Sequence, residues 1–190
     1  MFQDMFSYEK DASCSTFLCN RRQLRSKLHS APCLSSSINQ ISTPAETQQW
    51  LETVLTYESD NVLYGEDDFW APCALTYKNK KWDCEDYAIC AAAILRDDVD
   101  ESYFVAVNNP ITKRGHAVFA YSIYGKWGIV SNINSEYRGP EYQSLNEVIL
   151  DSLGKEYMEY FIYDHKGVDL VNGDANLESK LDQVGYSRFR

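Results

Sequence analysis

Apolar and polar positions along the 190-residue chain alternate with two periods, one helical and one of strands. From Cys84, the positions Tyr87, Ala88, Ala91, Ala92 and Leu95 follow the i+3, i+4, i+7, i+8, i+11 spacing of one helical face. Ile89, Cys90, Ala93 and Ile94 make most of the other side apolar too. A helix that is apolar nearly all round belongs in the interior, so Trp82 to Leu95, WDCEDYAICAAAIL, is the stretch about which the domain is expected to pack. Asp83 suits the N-cap, because its carboxylate can accept from the free N–H groups of the first turn. Cys84 then takes the first helical position, and Glu85 and Asp86 complete the turn.

An earlier helix is signalled by Ser42 or Thr43 as cap, Pro44 and Glu46 in the first turn, and Trp50, Leu51, Val54 and Leu55 as its apolar stripe. Residues 57–81, with Gly65, Pro72 and many aromatics, read as a structured loop, which just before the central helix can form one wall of a site. Beyond the central helix the period changes. Tyr103 to Val107 reads as a strand ended by Asn108, Asn109 and Pro110. His116 to Ile123 and Trp127 to Ile133 read as a hairpin turning at Tyr124, Gly125 and Lys126. Ser144 opens a helix of Leu145, Val148, Ile149 and Leu153 closed by Gly154, and Glu159 to Tyr163 is a fourth strand with His165, Lys166 and Gly167 as its turn. The order predicts an α+β fold in which the central helix packs on a mainly antiparallel sheet.

The ends differ from this middle. Residues 1–43 are Ser-rich, lack sustained periodicity and contain a short basic helical candidate from Asn20 to His29, so an N-terminal arm, flexible or ordered by a protein partner, is expected there. A targeting peptide is the sharper alternative, and Asp4, Glu9 and Asp11 count against it. The domain is expected over 44–175, and 176–190 as a short polar helix and tail.

Composition narrows the function classes. A formal charge of −10 argues against general nucleic-acid or anionic-membrane binding, which needs clustered Lys and Arg. The exception is local: from Ser13 to Pro44 there is no acidic residue, while Arg21, Arg22, Arg25, Lys27 and His29 lie close together. No run approaches the roughly 18 apolar residues of a membrane span, and the first residues lack a basic segment followed by an apolar one. A cytoplasmic or virion-associated protein is expected. The six cysteines match no zinc spacing, and most are expected to be reduced thiols. A redox pair of Cys84 with Cys90 is disfavoured, because six residues apart on a helix they face different directions.

A thiol at a helix N-terminus feels the positive end of the backbone dipole, which favours the thiolate. Catalysis would also need a base. Of the three histidines, His29 lies in the arm and His165 in a turn, whereas His116 begins a strand and can face a helix end. Cys84 and His116 taken alone read more readily as a buried thiol and an unrelated imidazole than as a catalytic pair. Their surroundings add more. Asp60, Tyr64 and Gly65, Trp70, Pro72 and the block DCEDYAI at Asp83 to Ile89, followed by His116 with AVFAYSI and then GKWGIVSN, resemble the bacterial transglutaminase-like cysteine peptidases over about residues 48 to 150. The resemblance implies a papain-like, transglutaminase-like fold with Cys84 as nucleophile and His116 as general base, acting on a protein or peptide substrate through an acyl-enzyme.

The third member departs from the family, where an Asp precedes an Asn; here the pair is Ser131 and Asn132. Neighbours on a strand point to opposite faces, so only one can reach His116. Asn132 is favoured, since an amide oxygen orients an imidazole in Cys-His-Asn sites, with Ser131 as the alternative. The carboxylates of Asp83, Glu85 and Asp86 each suit the first helical turn, by about 0.3 to 1 kcal/mol, yet together they oppose ionisation of the thiol. A cation would remove that conflict, and acidic oxygen clusters suit Ca2+. The resemblance implies the same, since an adhesin-processing branch of the family binds calcium through these acids. Trp82 stands where the family commonly has Gly. The rival reading is a non-catalytic structural or interaction protein on the same fold, for example a component of a phage particle.

Overall fold

The capping signal at Thr43 starts the first helix. In the computed structural model, which describes residues 41–95, 97–133, 137, 139–153, 159–164 and 169–174, α1 (Pro44–Val54) opens with a complete capping box. The Glu46 N–H donates to Thr43 Oγ1 at 3.2 Å, and Glu46 Oε2 accepts from the Thr43 N–H at 3.1 Å.

Residues 57–81 depart from the expected loop. They contain β1 (Thr56–Tyr57), α2 (Asp60–Leu63), α3 (Cys73–Asn79) and β2 (Lys81–Trp82), with β1 and β2 paired in parallel. Helices this short show no legible period and are unstable alone. Packing holds them instead: Trp70, between α2 and α3, is 1 % exposed, and its ring tilts against Phe104 with centroids 5.1 Å apart. Lys80 adopts a left-handed φ of 57° and turns the chain from α3 into β2.

The central helix is α4 (Cys84–Leu95), followed by β3 (Glu101–Asn109), β4 (Arg114–Ile123), β5 (Lys126–Val130), α5 (Leu145–Leu153), β6 (Glu159–Asp164) and β7 (Asp169–Asp174). The sheet runs β5-β4-β3-β6-β7 with every neighbouring pair antiparallel. The β4–β5 hairpin turns at Tyr124 and Gly125, with φ of 52° and 72°. Positive φ at both central residues is what a tight hairpin turn requires. β6 and β7 form the far edge of the sheet, and the sequence of β7, DLVNGD, carries no apolar alternation that would mark it as a strand. Ser144 caps α5, its Oγ accepting the Glu147 N–H at 3.1 Å.

Strand alternation divides the core. Phe104, Ala106, Ala117, Phe119, Tyr121, Val130, Phe161 and Tyr163 pack on α4 and on Leu51 of α1. Val105, Val107, Val118, Ala120, Ile129 and Ile162 pack with Leu145, Val148 and Ile149 of α5 on the other face. The result is the expected α+β arrangement, a central helix on an antiparallel sheet, with a second helical layer behind. The alanines at 88, 91 and 92 keep α4 thin on this side, which lets it lie close to the sheet.

Arm residues 1–40, the basic candidate from Asn20 to His29, Gly154, the turn at His165 to Gly167 and the C-terminal helix expected from Asn176 lie outside the described residues. Among the described residues, no helix is long and apolar enough to cross a membrane.

Candidate active site

Three elements converge on Cys84. The short β2 delivers Trp82, the chain turns at Asp83, and α4 begins with Cys84 half-buried at its first position. Asp83 caps the helix as expected: its backbone carbonyl accepts the Tyr87 N–H at 3.0 Å, and its carboxylate accepts from the Asp86 N–H. The near end of β4 lies alongside, where the Ala117 N–H faces the Cys84 sulfur.

The thiol donates to Glu85 Oε2, with Sγ and Oε2 3.0 Å apart. Burial pushes the Cys84 thiol well above its ordinary range, and the charges of Glu85 and Asp83 and the hydrogen bond to Glu85 push it further; the Ala117 N–H pulls the other way. The helix dipole alone therefore does not produce a thiolate among these carboxylates.

His116 sits one residue before Ala117. The register of β4 assigns it to the face of Val118, not to the Ala117 face that packs on α4. Its Nε2 lies 3.3 Å from Ser131 Oγ. Burial holds the imidazole low, at about 4, so it is neutral at ordinary pH. Among the described contacts, no hydrogen bond joins Cys84 to His116.

Of the two candidates for the third position, the structure brings Ser131 to the imidazole and not Asn132. Asn132 Oδ1 is buried and accepts no hydrogen bond, whereas Ser131 Oγ meets the imidazole and also accepts the Ile133 N–H at 3.2 Å. The pleat explains the choice. Phe119 pairs with Val130, so the next residue, Ser131, continues opposite Val118 and shares the face of His116, and Asn132 takes the opposite face.

The acidic cluster also differs from expectation. Asp60, Asp83 and Asp86 each bring a carboxylate oxygen within 4.8 Å of the others, and Glu85 is not among them. Helical spacing accounts for this: Asp83 and Asp86 are three apart and share a side, whereas the Glu85 carboxyl lies between the Cys84 sulfur and Asp83. Asp60, named only within the family resemblance, is recruited from the start of α2 and is 4 % exposed. Its Oδ2 accepts the Phe69 N–H, and Asp86 Oδ1 accepts the Ala71 N–H at 2.6 Å. The Oδ1 atoms of Asp60 and Asp83 are buried and accept no hydrogen bond. Burial and the neighbouring Asp83 charge raise Asp60 to about 7. Burial and Glu85 likewise push Asp83 up. Hard oxygen donors with orphaned buried lone pairs, raised by mutual repulsion, fit a divalent cation of the calcium class.

Two more features were not legible in sequence. Tyr57, 58 % exposed, stands edge-on to Trp82 with centroids 5.5 Å apart, at the mouth of the site. Cys73 and Cys90, expected as thiols, are joined in a disulfide with Cα atoms 4.6 Å apart, while Cys84 is free.

No curated protein matches the chain. Similar solved structures include LapG from Legionella pneumophila in EGTA-treated form, at 15 % identity over 90 % of this chain and 86 % of that one with a TM-score of 0.44. The calcium-bound form of the same protein is 14 % identical over 86 % and 87 % of the two chains, with a TM-score of 0.41. A structure described as a TGase is 15 % identical over 70 % of this chain and 38 % of its own, with a TM-score of 0.35. A family model described as a transglutaminase-like domain matches residues 26–144. That match spans well over half of the sequence, and the chain belongs to the transglutaminase-like domain family.

Proposed function

We propose that the protein is a cysteine-dependent peptidase or acyl-transferase acting on protein or peptide amides, with Cys84 as nucleophile, His116 as general base and Ser131 orienting the imidazole. The observation that carries this reading is a free thiol at a helix N-terminus beside the strand residue pair His116–Ala117, with the far nitrogen of the imidazole already committed to Ser131. Asp60, Asp83 and Asp86 would hold a divalent cation, supported by their clustering and by the orphaned Oδ1 atoms of Asp60 and Asp83.

In this reading the thiol proton passes from Sγ to Nδ1 of His116, once the first residues of β4 shift so that the imidazole, on the opposite face of the strand in this structure, comes to the sulfur. The thiolate attacks the amide carbonyl carbon, and the oxyanion is met by backbone N–H groups at the start of α4. The intermediate collapses as the imidazolium gives its proton to the leaving amine. The imidazole then takes a proton from water, or from an amine, which attacks the thioester and frees Cys84. A bound cation would supply positive charge that offsets the carboxylates opposing the thiolate. Ser131 accepts or donates one hydrogen bond and carries no charge, so it orients the ring without stabilising an imidazolium as a carboxylate does.

The rival, a non-catalytic interaction protein on the same fold, is favoured by one observation: the thiol is bonded to Glu85, not to His116. Alkylation of Cys84 by iodoacetamide against pH, in wild type and His116→Ala, with and without Ca2+, separates the two. An active site gives fast alkylation near neutral pH with Ca2+ that collapses in the variant. A rate that rises only at or above the ordinary thiol pKa of about 8.5 in both proteins, whatever the Ca2+ level, sinks the catalytic reading.

A further inference from the structure

Resting on the cation reading above, we propose that the Cys73–Cys90 disulfide presets the cation site, so that the protein holds a divalent cation tightly only once that bond has formed. Cys90 lies one helical turn beyond Asp86, so the bond grips α4 on the side that carries Asp86. Its other end, Cys73, is the first residue of α3. The three residues Phe69 to Ala71, just before it, supply the backbone N–H donors that orient two of the three carboxylates: Phe69 to Asp60 Oδ2 and Ala71 to Asp86 Oδ1. Between Ala71 and Cys73 stands Pro72, whose ring fixes φ near its observed −67° and makes the link stiff. A displacement of Cys73 is therefore passed to the N–H groups that aim Asp86 and Asp60.

Two unbonded thiols cannot approach as closely as bonded sulfurs, and opening the bond moves them apart by about 1 Å or more. Cys73 and Cys90 are both fully buried, so there is no solvent gap to absorb that movement. The segment entering α3 must shift instead, and the carboxylates with it. Forming the bond removes one proton and one electron from each thiol; a small disulfide oxidant accepts both electrons and both protons and leaves as two thiols. Because neither sulfur is exposed, the exchange needs the fold to open, and the bond is set when the chain folds. Cys73 and Cys90 thus act as positioning residues that reach the cation through Pro72, Ala71 and Asp86.

The test refolds the full chain either with oxidised glutathione or with an excess of reductant, and adds a Cys73→Ala/Cys90→Ala variant. Thiol content is counted by mass after alkylation under denaturing conditions, and native structure is checked by near-UV circular dichroism. Calcium affinity is then measured by titration calorimetry and by terbium luminescence. The expected result is binding about 10- to 100-fold weaker in the reduced protein than in the oxidised protein, the usual loss when groups supporting ligands are disturbed, and a smaller loss in the variant, which lacks the tether but also the two sulfurs that push the segments apart. Equal affinity in all three, with only an earlier melting of the reduced form, makes the disulfide merely structural and overturns the proposal while the cation reading stands. No binding by the oxidised protein overturns both.

Discussion

Replacing Asp60 by Asn is expected to make the cation-free protein more stable, although it alters a buried residue. Asp60 is 4 % exposed and faces the Asp83 carboxyl, and burial followed by that charge raises it from 3.8 to about 7. An acid whose folded pKa is raised binds more protons folded than unfolded between those two values, so stability falls as pH rises through that window. The penalty is absent below 3.8 and complete above about 7. At roughly 1.4 kcal/mol per unit, it reaches about 4 kcal/mol at pH 8 and shrinks to about 1 kcal/mol near pH 4.5. The amide of the Asp60→Asn variant would be neutral throughout, and its oxygen can still accept the Phe69 N–H that Asp60 now accepts. Urea unfolding followed by tryptophan fluorescence in EDTA, at both pH values, measures the difference. Adding Ca2+ completes the test: wild type should gain about 2.7 kcal/mol at 100 times its Kd, and Asp60→Asn little. The reasoning fails if the variant is less stable than wild type at the higher pH in EDTA, if the gap does not narrow on acidification, or if both proteins gain equally from Ca2+.

Three further outcomes follow from named contacts. Ser131→Ala should lower kcat on a cleaved peptide about tenfold or more by freeing the imidazole, with Asn132→Ala having the smaller effect; the reverse order, measured by initial rates, would return the third position to Asn132. His116 is lowered from 6.5 to about 4 by burial, so the folded state binds fewer protons than the unfolded between those values, and its contribution is complete above 6.5 and lost as pH falls toward 4. The stability of His116→Gln relative to wild type should therefore rise by up to about 3 kcal/mol on acidification from neutral pH to about 4, and a pH-independent difference in denaturant titrations contradicts it. Gly128→Ala places a Cβ 2.6 Å from the Tyr121 hydroxyl and 3.2 Å from Pro140 Cα, and Tyr121 is fully buried and bonded to Tyr137 at 2.5 Å. A loss of about 1 to 3 kcal/mol is expected in thermal melts, and an unchanged Tm would show that the ring can withdraw.

Local chemistry alone determined several parts of this protein. Thr43, Pro44 and Glu46 form the capping box that the spacing predicts, the apolar run from Cys84 makes a central helix with Asp83 at its cap, and Tyr124–Gly125 turns a hairpin. Each of these depends on residues within one turn or one pleat of each other, so the pattern carries the information. The nucleophile candidate Cys84 was legible for the same reason, as the first residue of a helix whose start is marked.

Tertiary structure decided what distant residues do together. Asp60 joins Asp83 and Asp86 across 23 positions of sequence because α2, a four-residue helix with no period of its own, is held where packing puts it. Cys73 reaches Cys90 through the same segment. Which of Ser131 and Asn132 meets the imidazole is a question of parity, and parity depends on the residue at which β5 pairs with β4. Residue types and helical or strand periods are properties of the sequence itself, whereas register and the approach of separate segments exist only once the buried faces of α4 and the sheet have been brought together.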